Sequence, residues 1–173
     1  MNSISPLAIQ SKVKQLAKEV AEYNPEVLVM IMTAAVPFAS DLLKELSKLG
    51  VDCRVGWMDC HRTGKHDAFI VSSSLPFIEG RRVLVVDCIF DSGTTMRKCV
   101  SSLLHHELAA KVKSACLLWR NCVGASSRPH FWGFNLEGAP GFLVGYGLDG
   151  EGGFGRGRNW IEVAESKRVA VQG

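Results

Sequence analysis

No stretch of this sequence approaches the ~20 consecutive apolar residues that a membrane-spanning helix needs, and its start does not read as a secretory signal. The six cysteines (53, 60, 88, 99, 116 and 122) include no CxxC pair. That argues against a zinc ribbon or a disulfide framework and for reduced thiols in a cytoplasmic protein. Neither charge sign is in large excess. A net charge of +3 gives no reason to expect a nucleic-acid-binding face, although a basic cleft for a small anion is compatible with it. Internal repeats are absent, and the only biased segment is DGEGGFGRGR at 149–158. The 173 residues, 47% hydrophobic and 21% charged, suffice for a single domain over 1–173 with one core, and exclude wholesale disorder.

Apolar residues at Ile9, Val13, Leu16 and Val20 predict a helix over 6–23, with Pro6 in its first turn and Lys12, Lys14 and Lys18 outside the buried face. The run VLVMIM at 27–32 predicts a strand covered on both faces, as in a parallel sheet. A helix follows over about 37–49, between Pro37 and Gly50. Strands are expected at 51–58 and 68–73, separated by the polar stretch DCHRTGKHD, and again at 83–88. Met96, Cys99, Val100, Leu103 and Leu104 predict a helix within 93–108, and residues 112–119 a further strand. Residues 121–140 read mostly as loop, with short strands at 141–147 and 159–163. The alternation is α/β, with right-handed strand-helix-strand connections.

Ligands of open α/β sheets collect beyond the carboxyl ends of the strands. The segment VLVVDCIFDSGTT (83–95) ends a buried strand in this way. Gly93 allows close backbone approach, a helix start offers N–H groups, and Ser92, Thr94 and Thr95 add hydroxyls: together, a phosphate cradle. Asp87 and Asp91 would repel a bare anion. They make sense if the phosphate belongs to a larger ligand whose hydroxyls or metal ion need carboxylates. The plainer alternative is that Asp91 or Ser92 caps the helix and Asp87 merely ends the strand. His61 and His66 lie in the polar stretch as isolated histidines, a poor basis for a metal site, and DGEGG lacks the ligand spacing of a calcium loop.

VLVVDCIFDSGTT resembles the phosphoribosyl-pyrophosphate signature of type I phosphoribosyltransferases. RPHFWGF (128–134), GFLVGYGLDGEGGFGRGRNW (141–160) and VLVMIMTAAVPFASDLL (27–43) resemble segments of the hypoxanthine-guanine branch. The resemblance implies a type I phosphoribosyltransferase-like α/β fold, with a mainly parallel central sheet flanked by helices and a small hood. It also implies purine salvage: transfer of the phosphoribosyl group of phosphoribosyl pyrophosphate to a 6-oxopurine (hypoxanthine, guanine or xanthine), releasing pyrophosphate, with Mg2+. On this basis Asp91 is the general base, Asp87 faces the ribose hydroxyls, and Ser92, Gly93, Thr94 and Thr95 surround the 5′-phosphate. Arg128 replaces a lysine that donates to the purine 6-oxo group, Phe142 stacks on the base, and the Leu143 backbone reads its edge. Asp149 lies near the base and the metal, while Thr33, Ala34 and Arg156 lie by the pyrophosphate. The expected partners are those small molecules and further copies of the chain in a homo-oligomer, with neither nucleic acid nor membrane.

Three departures from the pattern stand out. Cys88 occupies the place of a second acid, which is expected to weaken a ribose contact by roughly 1.5–3 kcal/mol. Thr33 and Ala34 replace Lys-Gly, and a long Ser-Tyr lid loop is shortened to DCHRTGKHD and its flanks. They keep a second expectation open: a catalytically weak, phosphoribosyltransferase-like protein that binds purine nucleotides or regulates.

Overall fold

The computed structural model describes residues 3–63, 67–120, 127–137 and 141–164. Helix α1 (Pro6–Tyr23) begins where Ser5 Oγ accepts the Ala8 amide at 3.3 Å and ends on Asn24 in the left-handed region. It buries Ile9, Val13, Leu16, Ala17 and Val20. The remaining elements are β1 (Ser3–Ile4), β2 (Val27–Met32), α2 (Val36–Lys48), β3 (Arg54–Thr63), β4 (Asp67–Ser74), β5 (Arg82–Phe90), α3 (Thr94–His105), β6 (Lys111–Trp119), β7 (Phe131–Asn135), β8 (Phe142–Val144) and β9 (Ile161–Ala164).

Six strands form one sheet in the order β4-β3-β2-β5-β6-β7, parallel throughout except for the β3–β4 hairpin. The chain winds outward from β2 through α2 to β3, then crosses back to place β5 on the other side of β2. The order therefore reverses between β2 and β5, the kind of switch point at which ligands bind. Strand periodicity divides the core in two. Leu28, Leu84, Val86 and Cys88 meet α1 and α2, whereas Val27, Val29, Val83 and Val85 meet Met96, Cys99 and Leu103 of α3. A second, antiparallel sheet, β1-β9-β8, stands as a hood over the larger one.

The structure differs from the sequence-based expectation in three elements. β3 continues past Met58 to Thr63, because the polar residues that read as a loop pair with β4 in a largely exposed hairpin, where hydrophilic side chains can face water on both sides. β7 falls within residues read as loop. Its FWGFN is only partly buried at the sheet edge, so it shows no apolar alternation, and a Cβ on Gly133 would come 2.6 Å from the Leu117 carbonyl oxygen. β1, with two residues, is too short to leave a periodic signal.

Candidate active site

The carboxyl ends of β2, β3, β5 and β6 lie along one edge, and a cavity of about 470 Å³ opens there, within the usual range for small-molecule sites. Thr33 and Ala34 follow β2, and the Met32–Thr33 peptide is cis. Asp87, Asp91, Ser92, Gly93, Thr94 and Thr95 come from β5 and the turn beyond it. Phe142, Leu143, Asp149 and Arg156 come from the hood. Of the residues the sequence singles out for the site, only Arg128 lies outside this lining; it is exposed, and its charge is felt by His130.

The two-residue period of β5 decides which side chains reach the cavity. Asp87 shares the face of Val83 and Val85 and emerges at its end. Burial pushes its carboxyl up to about 7, against the opposing pull of the Cys88 and Ile89 amides, and the Cys88 N–H donates to Oδ1 at 2.7 Å. Cys88 points the other way. It is completely buried among α1, α2 and the hood, and its thiol donates to the Tyr146 carbonyl at 3.5 Å. The expected contact between Cys88 and a ribose hydroxyl is thus replaced by a core contact, since adjacent strand residues face opposite sides.

In the turn after β5, Gly93 has φ 75° and is the N-cap of α3, with no side-chain cap. A Cβ there would lie 2.6 Å from the Phe90 ring and 2.7 Å from Ser127 Oγ, so both conformation and space call for glycine. Ser92 Oγ lies 3.0 Å from Thr94 Oγ1 and accepts the Thr94 amide at 3.4 Å. The first turn of α3, with its amides pointing outward, opens on the cavity beside these hydroxyls.

The hood is tied to α2 and braced within itself by specific bonds. The Tyr146 hydroxyl donates to Asp41 Oδ2 of α2 at 2.7 Å. Arg156 donates to the Gly147 carbonyl at 2.7 Å and pairs with Asp149 at 2.8 Å. Phe142 is 60% exposed at the cavity mouth, a position from which a planar ligand could cover it.

Two cationic residues of the cavity, Arg62 and Arg120, were missed by sequence reasoning. Arg120 follows β6, and its Nη2 donates to the Gly141 carbonyl at 3.0 Å, next to Phe142. Its Nε is buried without a hydrogen-bond partner among the described residues. Its place at the carboxyl end of a buried parallel strand was the available signal. Arg62 was hidden because β3 was expected to end at Met58. His61 faces Phe69, with ring centroids 6.0 Å apart, away from the cavity lining; His66 and Cys122 lie outside the described residues. Among the described residues no three His, Cys, Asp or Glu side chains gather into a metal cage, and no helix is long and apolar enough to cross a membrane.

Comparison with known proteins gives a consistent set of likenesses. Residues 4–151 match the family described as phosphoribosyl transferase domain. The hypoxanthine-guanine phosphoribosyltransferase of Bacillus subtilis is 31% identical over 155 residues, covering 84% of this chain and 83% of the relative. The protein of the same name from Aquifex aeolicus is 34% identical over 167 residues, covering 90% and 88%. Among solved structures, a hypoxanthine phosphoribosyltransferase from Staphylococcus aureus superposes with a TM-score of 0.83 at 24% identity, covering 96% of this chain and 93% of that one. At that identity the structural likeness concerns the fold, here the type I phosphoribosyltransferase arrangement of sheet, helices and hood.

Proposed function

The chain belongs to the phosphoribosyl transferase domain family, and on that premise we propose that it is a purine salvage enzyme, moving the phosphoribosyl group of phosphoribosyl pyrophosphate onto a 6-oxopurine. The observation that carries the reading is a single cavity in which the Asp87–Thr95 segment meets Phe142, Leu143 and Asp149. One side offers hydroxyls and helix amides to a phosphate, the other an aromatic face to a base.

In the reaction the bond from the anomeric carbon to the pyrophosphate oxygen breaks, and the electron pair leaves with pyrophosphate. A purine imidazole nitrogen bonds to the same carbon and gives up its proton. Asp91, in the turn between ribose and base sites, is the group proposed to take that proton. Asp87 faces the cation-like ribose, whose positive charge a nearby carboxylate stabilises. The amides at the start of α3, with Ser92, Thr94 and Thr95, hold the 5′-phosphate. Arg156 and the backbone of Thr33 and Ala34 lie where the departing pyrophosphate gains charge.

Asp87 and Asp149 fit a magnesium ion. A hard cation that keeps several waters and takes substrate phosphate oxygens needs only one or two protein carboxylates, and these two line the same cavity. When bound, the ion would neutralise charge on the leaving pyrophosphate.

At the base end, Arg120 accompanies Phe142 in the lining, whereas Arg128 does not. A guanidinium carries donors and no acceptor, so it suits the carbonyl of a 6-oxopurine and leaves the amino group of adenine unmatched. The five described cysteines are free thiols, in keeping with a cytoplasmic protein, and the assembly proposed is a homo-oligomer. The test is pyrophosphate release from phosphoribosyl pyrophosphate and Mg2+ with hypoxanthine, guanine, xanthine or adenine. Release with at least one oxopurine, and least with adenine, is expected. Purine nucleotide binding without any release would transfer the protein to the binding or regulatory class, and preference for adenine would overturn the assignment of the base.

A further inference from the structure

The Lys-Gly of the resembled pattern is absent after β2, yet the cavity gains a cation from another strand. β3 and β4 shift register between Asp59 and Cys60. The residue in excess is Val71 of β4, so β3 keeps its two-residue alternation across the shift, and Cys60 and Arg62 extend the face of Met58. Past the shift, Cys60 and Arg62 both line the cavity while His61, between them, packs toward Phe69. Arg62 Nη2 then donates to Ser92 Oγ at 3.3 Å. Ser92 is the first hydroxyl of the cradle and is itself in contact with Thr94. The other two arginines of the lining are held elsewhere, Arg156 by Asp149 and Gly147, and Arg120 by Gly141. Arg62 is thus the lining arginine that adjoins the hydroxyl turn.

We propose that Arg62 is a ligand of the 5′-phosphate, in both the phosphoribosyl substrate and the nucleotide product. The assignment rests on the phosphoribosyltransferase reading above. A guanidinium presents a planar fork of donors that matches phosphate oxygens in pairs. Ser92 points to which phosphate is meant: the Arg62 head donates to the hydroxyl of the turn that opens α3. The shortened lid makes this possible. Because the hairpin continues as paired strand, its cation is delivered by a regular element and needs no long loop to close.

The test is equilibrium binding of guanosine 5′-monophosphate, ribose 5-phosphate and pyrophosphate to the parent protein, Arg62→Gln and Arg62→Lys. Arg62→Gln should weaken both 5′-phosphates at least tenfold and pyrophosphate by less than twofold, and Arg62→Lys should fall between parent and Gln. Arg62 is exposed, so both variants should unfold at the parent temperature; affinity and fold are then read separately. Unchanged 5′-phosphate binding, or an equal loss for pyrophosphate, would overturn the inference. A parent that binds ribose 5-phosphate but not the purine nucleotide would overturn the purine assignment instead, leaving Arg62 to be judged on ribose 5-phosphate. A parent that binds neither 5′-phosphate would overturn both.

Discussion

Gly147 of the hood stands in backbone contact with Ala34, in the loop after β2: a Cβ on Gly147 would lie 2.1 Å from the Ala34 carbonyl oxygen. Its φ of 96° is also one that L side chains rarely adopt. Through this contact the chain segment that carries Phe142 is set against the segment proposed to hold pyrophosphate. Gly147→Ala should therefore lower stability by about 3 kcal/mol, from backbone strain and overpacking together, and raise KM for phosphoribosyl pyrophosphate. Urea unfolding and steady-state kinetics would check both. A variant as stable as the parent would show that the hood is not seated on Ala34.

Cys88→Asp restores the acid of the resembled signature, and the resemblance alone would make it a gain in substrate affinity. The structure reverses that expectation. The new carboxyl would lie in the core, facing the Tyr146 carbonyl, an acceptor, where the present thiol is already pushed up by burial and by Asp87. Loss of about 3–5 kcal/mol is expected, the usual cost of an uncompensated buried charge, measured by urea unfolding. Unimpaired stability with tighter phosphoribosyl pyrophosphate binding would mean that residue 88 reaches the cavity.

Arg120 and Arg128 compete for one role, and they can be separated. Arg120→Ala should raise KM for the oxopurine roughly tenfold or more, the worth of a hydrogen bond from a charged donor, while Arg128→Ala changes it by less than about twofold. The same pair of variants with the opposite ranking would return the donor's role to Arg128.

Much of the fold was legible because burial writes itself into hydrophobic periodicity. The run at 27–32 and the repeat over 6–23 correspond to β2 and α1 with the same bounds. The turn after β5 was legible for a different reason: a glycine flanked by hydroxyl residues marks a tight turn into a helix start, which Gly93 makes at a φ of 75°. Arg62 and β7 were not. An exposed hairpin and a half-buried edge strand impose no alternation, and the extension of β3 as far as Arg62 depends on its pairing with β4, which no local pattern specifies. The facing of Cys88 was available from the period of β5, but matching the signature position by position obscured it.

Cys60 and Cys99 lie with their sulfurs 3.3 Å apart. The hydrogen bond between them pulls the Cys60 thiol down, whereas Cys99 is pushed up by the same bond and by burial. Cys53, by contrast, is pushed up to about 11 by burial and by Asp52. Since the thiolate is the reactive form, alkylation at neutral pH should modify Cys60 first among the five described cysteines. Bound substrate should slow it, because Cys60 lines the cavity, and Cys99→Ala should slow it as well. Peptide mapping by mass spectrometry would read the order; Cys53 reacting ahead of Cys60 would contradict it.

The most direct test of the central claim, that one cavity joins a sugar-phosphate cradle to a base site across Asp91, is a comparison of Asp91→Asn with the parent in both turnover and product nucleotide affinity. The account predicts that kcat falls on the order of 10²–10⁴-fold, the usual contribution of a general base, while the Kd for guanosine 5′-monophosphate stays within a few-fold. A kcat close to that of the parent would contradict it.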